Sequence, residues 1–282
     1  MTLELRHVSF SYHGSATGEA APALVDLCFQ MNISDAVGIV GPSGAGKSTF
    51  LQVLAGLEKP GNGVVLFQGK DVHQDRSAYE RLRRQLGIVF QFPENQLFEA
   101  TVAEDVAFGP RNQGLSRETV RTRVRTALSA VGLPPDVFLG RGIEQLSQGE
   151  KRRVAIAGVL AMEPQILLLD EPTAGLDPGG QRTFVTFLRD YHRRQKRGLV
   201  IASHDLDFLV QVVDRIYVMD AGRWKANVPL QQIETLPADS LPIRLPRVVR
   251  LRQRLAELGI HLPTHVFHPQ AFLHALEQIP KL

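Results

Sequence analysis

Two stretches near the start of the chain alternate apolar and polar residues. Residues 3–12 and 24–31 both follow this period of two, which is typical of strands that bury one face. We expect these strands to pair antiparallel. A loop rich in Gly, Ala and Ser is predicted between them, over residues 13–22.

Farther along, apolar residues occur in short continuous runs at 37–40, 88–90, 166–169 and 199–202. Such runs, separated by patterns of helical length, are typical of buried parallel strands in an α/β sheet. Over residues 101–160 the apolar positions instead recur at i, i+3 and i+4, which predicts a helical subdomain inserted between sheet strands.

The last part of the chain, from residue 220, contains a predicted turn, several prolines and one helical pattern in place of apolar strand-like runs. A turn is predicted at residues 220–223, prolines interrupt the segment 229–246, and a helical pattern follows at 248–258. We therefore expect a main domain over residues 1–228, which contains the helical subdomain, and a C-terminal extension over residues 229–282.

The composition agrees with a soluble globular protein that has a sizeable core, since 44% of the 282 residues are hydrophobic and 22% are charged. The apolar runs extend over only a few residues, whereas a membrane-spanning helix needs about 20. The first residues lack a basic segment followed by an apolar one. We therefore expect no secretory signal, no membrane span and a location in the cytoplasm.

Charge and cysteine content narrow the chemistry only slightly. The net charge of +3 and the pI near 9.2 come from basic clusters, which could face nucleic acid or anionic lipid but are more often solvated helix faces. Cys28 is the single cysteine, so an internal disulfide and a cysteine metal site are excluded. Its apolar surroundings predict that it lies in the core.

Candidate chemistry begins directly after the run 37–40. Residues 41–48, Gly-Pro-Ser-Gly-Ala-Gly-Lys-Ser, match the pattern G-x-x-x-x-G-K-S/T between a predicted strand and a predicted helix at 49–57. In a phosphate loop of this kind, backbone N–H groups and the helix start hold the phosphates. Lys47 would reach the β- and γ-phosphates, and Ser48 would ligate Mg²⁺. The alternative is a glycine-rich turn that binds nothing, and the strand–loop–helix context argues against it.

Two adjacent acids end the apolar run 166–169. Asp170 and Glu171 stand where the carboxyl ends of parallel strands place ligands. We expect Asp170 to hold the Mg²⁺ shell and Glu171 to orient and polarise the attacking water, because phosphoryl transfer needs positioned charge and a placed nucleophile.

Several further motifs complete a known pattern. Residues 146–150, Leu-Ser-Gln-Gly-Glu, and residues 169–178, Leu-Asp-Glu-Pro-Thr-Ala-Gly-Leu-Asp-Pro, resemble the signature, Walker B and D-loop series of ATP-binding cassette (ABC) ATPases. Gln91 is similar to their Q-loop glutamine, His204 to their switch histidine and Tyr12 to their adenine-stacking aromatic. The resemblance implies an α/β P-loop NTPase fold of the ABC type, with an antiparallel β subdomain, an inserted helical subdomain and a C-terminal extension.

The resemblance also assigns roles around ATP and Mg²⁺. It implies that Glu171 and His204 are catalytic, and that Ser48, Gln91 and Asp170 lie at the metal. The implied nucleotide-binding residues are Tyr12, Gly41, Pro42, Ser43, Gly44, Ala45, Gly46, Lys47, Ser48, Thr49, Gln91, Ser147 and Gly149. Taken alone, His204 could be an ordinary structural histidine and Tyr12 an ordinary aromatic at a strand end.

ABC ATPases bind each ATP between two subunits, so a second cassette, identical or paralogous, is an implied partner. Ser147 would begin a helix, and its hydroxyl and the free N–H groups there can meet the γ-phosphate held by the other subunit. The usual signature has Gly where Gln148 stands and Gln where Glu150 stands. This departure leaves the fine geometry and the rate open.

The segment 90–110, which begins Phe-Gln-Phe-Pro-Glu-Asn-Gln-Leu-Phe-Glu, is similar to the ATPases of energy-coupling factor (ECF) importers, which take up vitamins and transition-metal ions. In that group the groove around the Q-loop receives helices of a transmembrane coupling protein, which works with a small substrate-binding membrane protein. Phe92, Leu97 and Phe98 would anchor those helices, and Glu94 and Glu99 would pair with basic residues there. The alternative is that the aromatics fill the helical subdomain's own core.

The tail motifs at 241–247 and 259–263 also resemble the ECF extension, which helps to hold two ATPase subunits together. The implied location is the cytoplasmic face of the cell membrane, as a peripheral subunit, with no nucleic-acid partner. The rival interpretation is a soluble ABC ATPase that acts as a switch on nucleic acid or the ribosome. Such proteins typically carry two fused cassettes or a long coiled-coil insertion.

Overall fold

A computed structural model describes residues 1–12, 22–236, 243–263 and 269–277. Its strands form a four-stranded sheet near the start of the chain and a central six-stranded sheet. In chain order they are β1 Thr2–Phe10, β2 Leu24–Asn32, β3 Ala36–Val40, β4 Asn62–Phe67, β5 Lys70–Asp71, β6 Leu86–Val89, β7 Ile166–Asp170, β8 Gly198–Ala202, β9 Arg215–Asp220 and β10 Arg223–Pro229.

Helices connect these strands and also build a layer of their own between β6 and β7. They are α1 Lys47–Leu54, α2 Arg76–Gln85, α3 Val102–Asn112, α4 Arg117–Ala130, α5 Pro135–Phe138, α6 Gln148–Ala161, α7 Pro178–Arg193, α8 Leu206–Leu209, α9 Arg247–Glu257 and α10 Pro269–Glu277, with short 3-10 helices at Pro93–Gln96, Ile143–Gln145 and Leu230–Thr235. Within the described ranges, none of these helices is both long and apolar enough to cross a bilayer.

The central sheet has the strand order β10-β9-β3-β8-β7-β6. Neighbours from β9 to β6 run parallel, and β10 joins antiparallel after the predicted turn, which lies at residues 221–222. Every residue of β3, β7 and β8 is buried. The continuous apolar runs are explained by this position, because a parallel sheet is covered on both faces.

Two core layers lie against the two faces of this sheet. Leu167 and Leu169 of β7 pack in the layer that contains α3, α4, α6 and α7, whereas Ile166 and Leu168 pack in the layer that contains α1 and the four-stranded sheet. The period-two alternation within one strand therefore divides its side chains between two cores.

The four-stranded sheet has the order β2-β1-β4-β5, and its pairs are antiparallel. Leu3 pairs with Met31 and Leu5 with Phe29, so the prediction of two antiparallel strands from apolar alternation is correct. β1 ends at Phe10, two residues before the predicted end. Most of the predicted loop, residues 13–21, lies outside the described residues.

Cys28 is exposed, so the prediction that it lies in the core is wrong. β2 buries Leu27, Phe29 and Met31 on its inner face, and Cys28 therefore falls on the outer face with Gln30. The physical reason is that a strand distributes burial by its period of two, not by the mean hydropathy of its neighbourhood.

The chain beyond β10 remains packed on the central domain. Leu230, Ile233, Leu236, Leu245 and Val249 are buried in the same core layer as α6 and α7. α9 and α10 share a smaller cluster around Leu262 and Phe272. Residues 237–242, which hold part of the proline-rich segment and of the tail motif 241–247, lie outside the described residues, as do 264–268 and 278–282.

Candidate functional site

The predicted site residues follow strands whose carboxyl ends meet at one edge of the central sheet. β3, β8, β7 and β6 are parallel neighbours, and ligands of α/β sheets bind at such an edge. Ile39 pairs with Ala202, Ala202 with Asp170, and Val89 with Leu169. In the same order across the sheet, β3 is followed by the loop 41–48, β8 by Ser203 and His204, β7 by Glu171, and β6 by Gln91.

The loop 41–48 turns from β3 into α1, which begins at Lys47 with Gly46 as its N-cap, at φ 103°. A Cβ atom on Gly41 would lie 2.1 Å from the carbonyl oxygen of Met219, and one on Gly46 would lie 2.6 Å from that of Ala23. Glycine is therefore required at both positions by close backbone approach, and at Gly46 also by the left-handed conformation.

Lys47 folds back over this loop. Its Nζ donates hydrogen bonds to the carbonyl oxygens of Gly41, at 2.8 Å, and Pro42, at 3.0 Å. Burial lowers the pKa of Lys47, and the charges of Glu171 and Asp170 oppose that shift. The ammonium group is thus held within the loop, where an anion bound by the loop would meet it.

Asp170, at the end of β7, is only 4% exposed. Its Oδ1 is buried and accepts no hydrogen bond from the described part of the chain. Burial raises the pKa of its carboxyl group, and a hydrogen bond with Ser48 is the strongest influence against that rise. A buried carboxylate oxygen without a donor, beside a serine hydroxyl, fits a hard cation such as Mg²⁺, which prefers oxygen ligands.

Glu171 is held by three hydrogen bonds. Its Oε1 accepts from the backbone N–H of His204 at 3.0 Å and from Nδ1 of His204 at 2.9 Å, and its Oε2 accepts from the Ser203 hydroxyl at 3.1 Å. Its backbone has φ 45°, a left-handed conformation that is uncommon for a residue with a long side chain. The His204 side chain remains 72% exposed beside it.

Tyr12 and Gln91 lie at the margins of this edge. The Tyr12 hydroxyl shares hydrogen bonds with Thr49 Oγ1 and Gln52 Oε1, both at 3.0 Å, so the ring leans on α1 beside the phosphate loop. Gln91 is exposed two residues beyond β6. Within the described residues, no hydrogen bond connects Gln91 to Ser48 or Asp170.

Ser147 and Gly149 are not brought to the phosphate loop of their own chain. No hydrogen bond or ion pair within the described residues joins them to the loop 41–48. Ser147 is the exposed N-cap of α6, and it forms a capping box with Glu150 through bonds of 3.3 and 2.7 Å. The signature therefore presents a helix N-terminus to the surroundings of the chain.

The unusual Glu150 is neutralised locally. Arg141 Nη1 donates to Glu150 Oε1 at 2.9 Å, and the hydrogen bond from the Ser147 backbone is the first cause that lowers the pKa of Glu150. Glu150 thus caps the helix in the way that the usual glutamine can. Gln148 is exposed, and no contact explains why it stands in place of glycine.

Comparison with known proteins identifies the family. The sequence profile of the family described as "ABC transporter" matches residues 24–174. The energy-coupling factor transporter ATP-binding protein EcfA2 of Caldanaerobacter subterraneus is 38% identical over 268 residues, which cover 94% of this chain and 93% of that protein. The chain belongs to the ABC transporter family, among the ATP-binding proteins of ECF transporters. EcfA2 of Clostridioides difficile is 37% identical over 246 residues, and that alignment covers 86% of this ECF ATPase and 85% of the relative.

The fold of this ECF ATPase matches solved ABC cassettes. cbiO1 from Clostridium perfringens, described as part of the ABC transporter complex cbiONQ, aligns with a TM-score of 0.72 at 34% identity over 91% of this chain and 96% of its own. The cassette MJ0796, solved as a dimer bound to ADP and Pi, aligns with a TM-score of 0.73 at 29% identity. The alignment covers 81% of this chain and 98% of that cassette. The predicted fold class is confirmed, and the chain is an ATPase that binds nucleotide. The rival interpretation, a soluble switch, is not favoured.

Sequence reasoning missed Ser203. This residue is fully buried, and its hydroxyl donates to Glu171 Oε2. The available signal was its position, since a polar residue that directly follows a buried parallel strand lies at the ligand-binding edge of the sheet.

Sequence reasoning also missed Arg152 of the ECF ATPase. This residue belongs to the basic run Lys151-Arg152-Arg153, which resembles a solvated helix face. The structure leaves only 6% of Arg152 exposed. Its Nη2 donates to the backbone carbonyl oxygen of Glu171.

The aromatic residues after Gln91 lie on the surface. Phe92 is 58% exposed and Phe98 is 63% exposed, so they do not fill the core of the helical layer. The Phe98 ring meets the partly exposed Phe108 ring edge-on, with centroids 4.8 Å apart, whereas Leu97 packs partly against the core. One oxygen of Glu94, Oε2, points into the interior. That carboxylate is therefore less available to a basic partner than the sequence suggested.

Proposed function

We propose that this ECF ATPase binds MgATP between two cassettes and hydrolyses it to power uptake of a vitamin or a transition-metal ion through a membrane coupling protein. The observation that carries the catalytic assignment is the Glu171 carboxylate, fixed by Ser203 and His204 at the edge where the phosphate loop begins. The transport role is supported by relatives named as ECF ATPases and by cbiO1 of the ABC transporter complex cbiONQ, and the solute class is taken from the resemblance of residues 90–110 to ECF importers.

In this proposal the nucleotide lies along the loop between β3 and α1. Lys47 contacts the β- and γ-phosphates, Tyr12 stacks on adenine, and the remaining nucleotide contacts come from Gly41, Pro42, Ser43, Gly44, Ala45, Gly46, Ser48 and Thr49. Ser48, Asp170 and Gln91 would hold Mg²⁺, and the ion would neutralise charge on the phosphate oxygens. The buried and unpaired Asp170 Oδ1 supports this assignment.

Glu171 is the general base in the proposal. A carboxylate offers about four lone-pair sites; His204 occupies two on Oε1 and Ser203 one on Oε2. One site on Oε2 remains for the attacking water. The three donors fix its direction before ATP arrives, and such preorganisation is what in-line transfer requires. His204, through its exposed ring, contacts the γ-phosphate.

The second half of each nucleotide site is contributed by Ser147 and Gly149 of another cassette, identical or paralogous. Their outward placement on α6, away from their own phosphate loop, supports this arrangement, as does the dimeric form of the related MJ0796. Closure of the dimer assembles the site, and hydrolysis reopens it.

The exposed aromatic surface formed by Phe92, Phe98 and Phe108 receives coupling helices of the membrane protein, which works with a substrate-binding membrane protein. An exposed aromatic cluster of this kind is a common anchor for partner helices. The ATPase domain extends over residues 1–228, and the extension over 229–282 helps to hold two cassettes together. The complex lies at the cytoplasmic face of the cell membrane and binds no nucleic acid.

Glu171→Gln tests the catalytic assignment, because it keeps the side-chain shape and removes the base. We expect ATP binding to persist, hydrolysis to fall by about 100-fold or more, and an ATP-bound dimer to accumulate in size-exclusion chromatography. Glu80→Gln, at an exposed carboxylate on α2, is the control and should hydrolyse ATP normally. Hydrolysis by Glu171→Gln at near the parental rate would remove Glu171 from the role of base.

Affinity purification from detergent-solubilised native membranes tests the partners. We expect a multi-span coupling protein and a small substrate-binding membrane protein to co-purify, and Phe98→Asp to abolish their recovery. Val137→Asp changes an equally exposed apolar residue on α5 and should leave recovery unchanged. Recovery of ribosomal or DNA-repair proteins alone would contradict the transporter assignment.

A further inference from the structure

Arg152 joins the signature helix to the backbone of the catalytic glutamate. It lies on α6, five residues after the N-cap Ser147, and is almost fully buried. Its Nη2 donates to the Glu171 carbonyl oxygen. Because Glu171 holds a left-handed backbone conformation with few nearby alternatives, a movement of that carbonyl also turns the carboxylate.

Arg152 also faces a second group with which it forms no bond. Its Nε is buried without a hydrogen-bond acceptor, and Glu94 Oε2 is buried without a donor, as judged over the described residues. Glu94 belongs to the 3-10 helix Pro93–Gln96, which packs on α6. Burial lowers the pKa of Arg152, and the charge of Glu94 is the first of those that oppose this shift.

A buried Nε without an acceptor and a buried carboxylate oxygen without a donor each cost free energy, which a hydrogen bond between them would recover. A small displacement of the 3-10 helix relative to α6 can therefore change how strongly Glu94 pulls on Arg152. Phe92, the exposed N-cap residue of this 3-10 helix, connects the helix to the surface proposed above for the coupling helices.

We propose that Arg152 is a positioning residue that transmits the conformation of the Pro93–Gln96 segment, through its attraction to the charge of Glu94, to the backbone of Glu171. This inference rests on the proposed role of Glu171 as the base. Arg152 touches no reacting group itself: Nη2 of its guanidinium holds the Glu171 carbonyl oxygen, and its Nε has no acceptor of its own among the described residues. Glu94 and Arg152 thereby connect the surface proposed for the coupling helices with the carboxylate of Glu171.

A double-mutant cycle tests this inference. It uses the membrane complex, purified by an affinity tag on the full-length ATPase. Arg152→Gln, Glu94→Gln and the double variant are compared for kcat and KM at varied ATP. We expect each single variant to lower kcat by about five- to tenfold with KM for ATP changed by less than about twofold, because position and not nucleotide binding is affected. The double variant should be no slower than Arg152→Gln, since one pathway is interrupted twice.

Lys151→Gln and Glu144→Gln form the matched control pair, because Lys151 is the neighbouring residue on α6 and its 3.7 Å partner Glu144 is 95% exposed. Both should keep kcat within about twofold of the parent. The amount of radiolabelled ATP retained per chain on a filter shows whether a variant is folded and loaded. Should Arg152→Gln fail to fold, Arg152→Lys completes the same cycle, because it keeps the charge and loses Nε.

Independent, multiplicative losses in the double variant, or a Glu94→Gln kcat within about twofold of the parent, would overturn the positioning role. That outcome is distinct from failure of the proposed base. Glu171→Gln that hydrolyses ATP normally would contradict the proposed function, whereas additivity between Glu94 and Arg152 would contradict this inference alone.

Discussion

At the scale of single residues, the orientation of the candidate base depends on one buried hydroxyl. Ser203 Oγ accepts a hydrogen bond from the Asp205 backbone N–H at 3.1 Å and donates to Glu171 Oε2 at the same distance. A serine hydroxyl has one proton, and the contact from Asp205 directs that proton to the carboxylate. The start of α8 and the end of β7 are thereby joined at the candidate site.

Ser203→Ala should lower kcat by about tenfold, which corresponds to ~1.4 kcal/mol for one lost hydrogen bond to a charged group. Phosphate release at saturating MgATP measures the effect. Ser116→Ala is the control: it removes the N-cap of α4 and should cost about 1 kcal/mol of stability without changing kcat. Equal kcat losses in both variants would mean that Ser203 acts only on stability.

At the scale of elements, the space around a glycine decides whether its replacement by alanine stabilises or destabilises the protein. Gly41 directly follows β3, at a point where a Cβ atom would overlap the Met219 carbonyl, whereas a Cβ atom on Gly158, inside α6, would meet nothing within 4 Å. The same change to alanine should therefore have opposite effects in the two elements.

Gly41→Ala should abolish ATP binding and lower the unfolding temperature, because β9 and the phosphate loop must separate. Gly158→Ala should raise the free energy of unfolding by about 0.5–1 kcal/mol through higher helix propensity. Thermal unfolding measures both. Retention of radiolabelled ATP on a filter measures ATP binding. A destabilised Gly158→Ala would show that α6 meets a surface absent from the single chain.

α7 is tied to the segment before β9 by a buried histidine. His192 Nε2 lies 3.0 Å from Asp214 Oδ2, and its Nδ1 lies 3.0 Å from the Arg197 carbonyl oxygen. The hydrogen bond with Asp214 is the first cause that raises the pKa of His192, with burial opposing it. The folded protein therefore binds this proton more tightly than the unfolded chain.

The stability from this proton is fully present below the unfolded pKa of about 6.5 and is lost as pH rises through the higher folded value. We expect the stability difference between the parent and Asp214→Asn to be largest below about pH 6 and to shrink in alkaline buffer. Urea unfolding at several pH values measures it. Asp26→Asn, which removes the exposed partner of His7, is the surface control. A difference that grows toward alkaline pH would contradict the assignment.

At the scale of the whole molecule, the extension is continuous with the ATPase core. Leu230, Ile233, Leu236, Leu245 and Val249 fill the layer beside α6 and α7. Burial of such a side chain contributes about 1.5–3 kcal/mol. Together these five rival the net stability of a domain, about 5–15 kcal/mol, so a boundary near residue 229 describes sequence character more than folding.

A chain that ends at residue 228 should therefore be insoluble or melt far below the parent. A chain that ends at residue 259 keeps all five buried side chains but loses the cluster around Leu262 and Phe272 and the hydrogen bond from Arg252 to the Pro263 carbonyl oxygen. It should therefore melt well above the 1–228 chain, though below the parent. Thermal unfolding compares the two, and size-exclusion chromatography of the longer one measures the proposed contribution of the extension to dimer stability. A well-folded 1–228 chain would show that these contacts are dispensable.

The sequence by itself determined the features that depend on near neighbours along the chain. The phosphate loop could be predicted because a strand, a glycine turn and a helix start are consecutive, and Asp170 and Glu171 because they end an apolar run. Apolar periodicity likewise predicted β1, β2 and the central strands, since each period reports a single element.

Only the tertiary structure decided the contacts between distant residues. Ser203 lies 32 positions from Glu171, and Arg152 lies 19 positions from it; no local pattern records either hydrogen bond. The exposure of Cys28 and the burial of Arg152 were equally hidden. Burial and pairing are set by which faces of different elements meet, and a periodicity confined to one element does not contain that information.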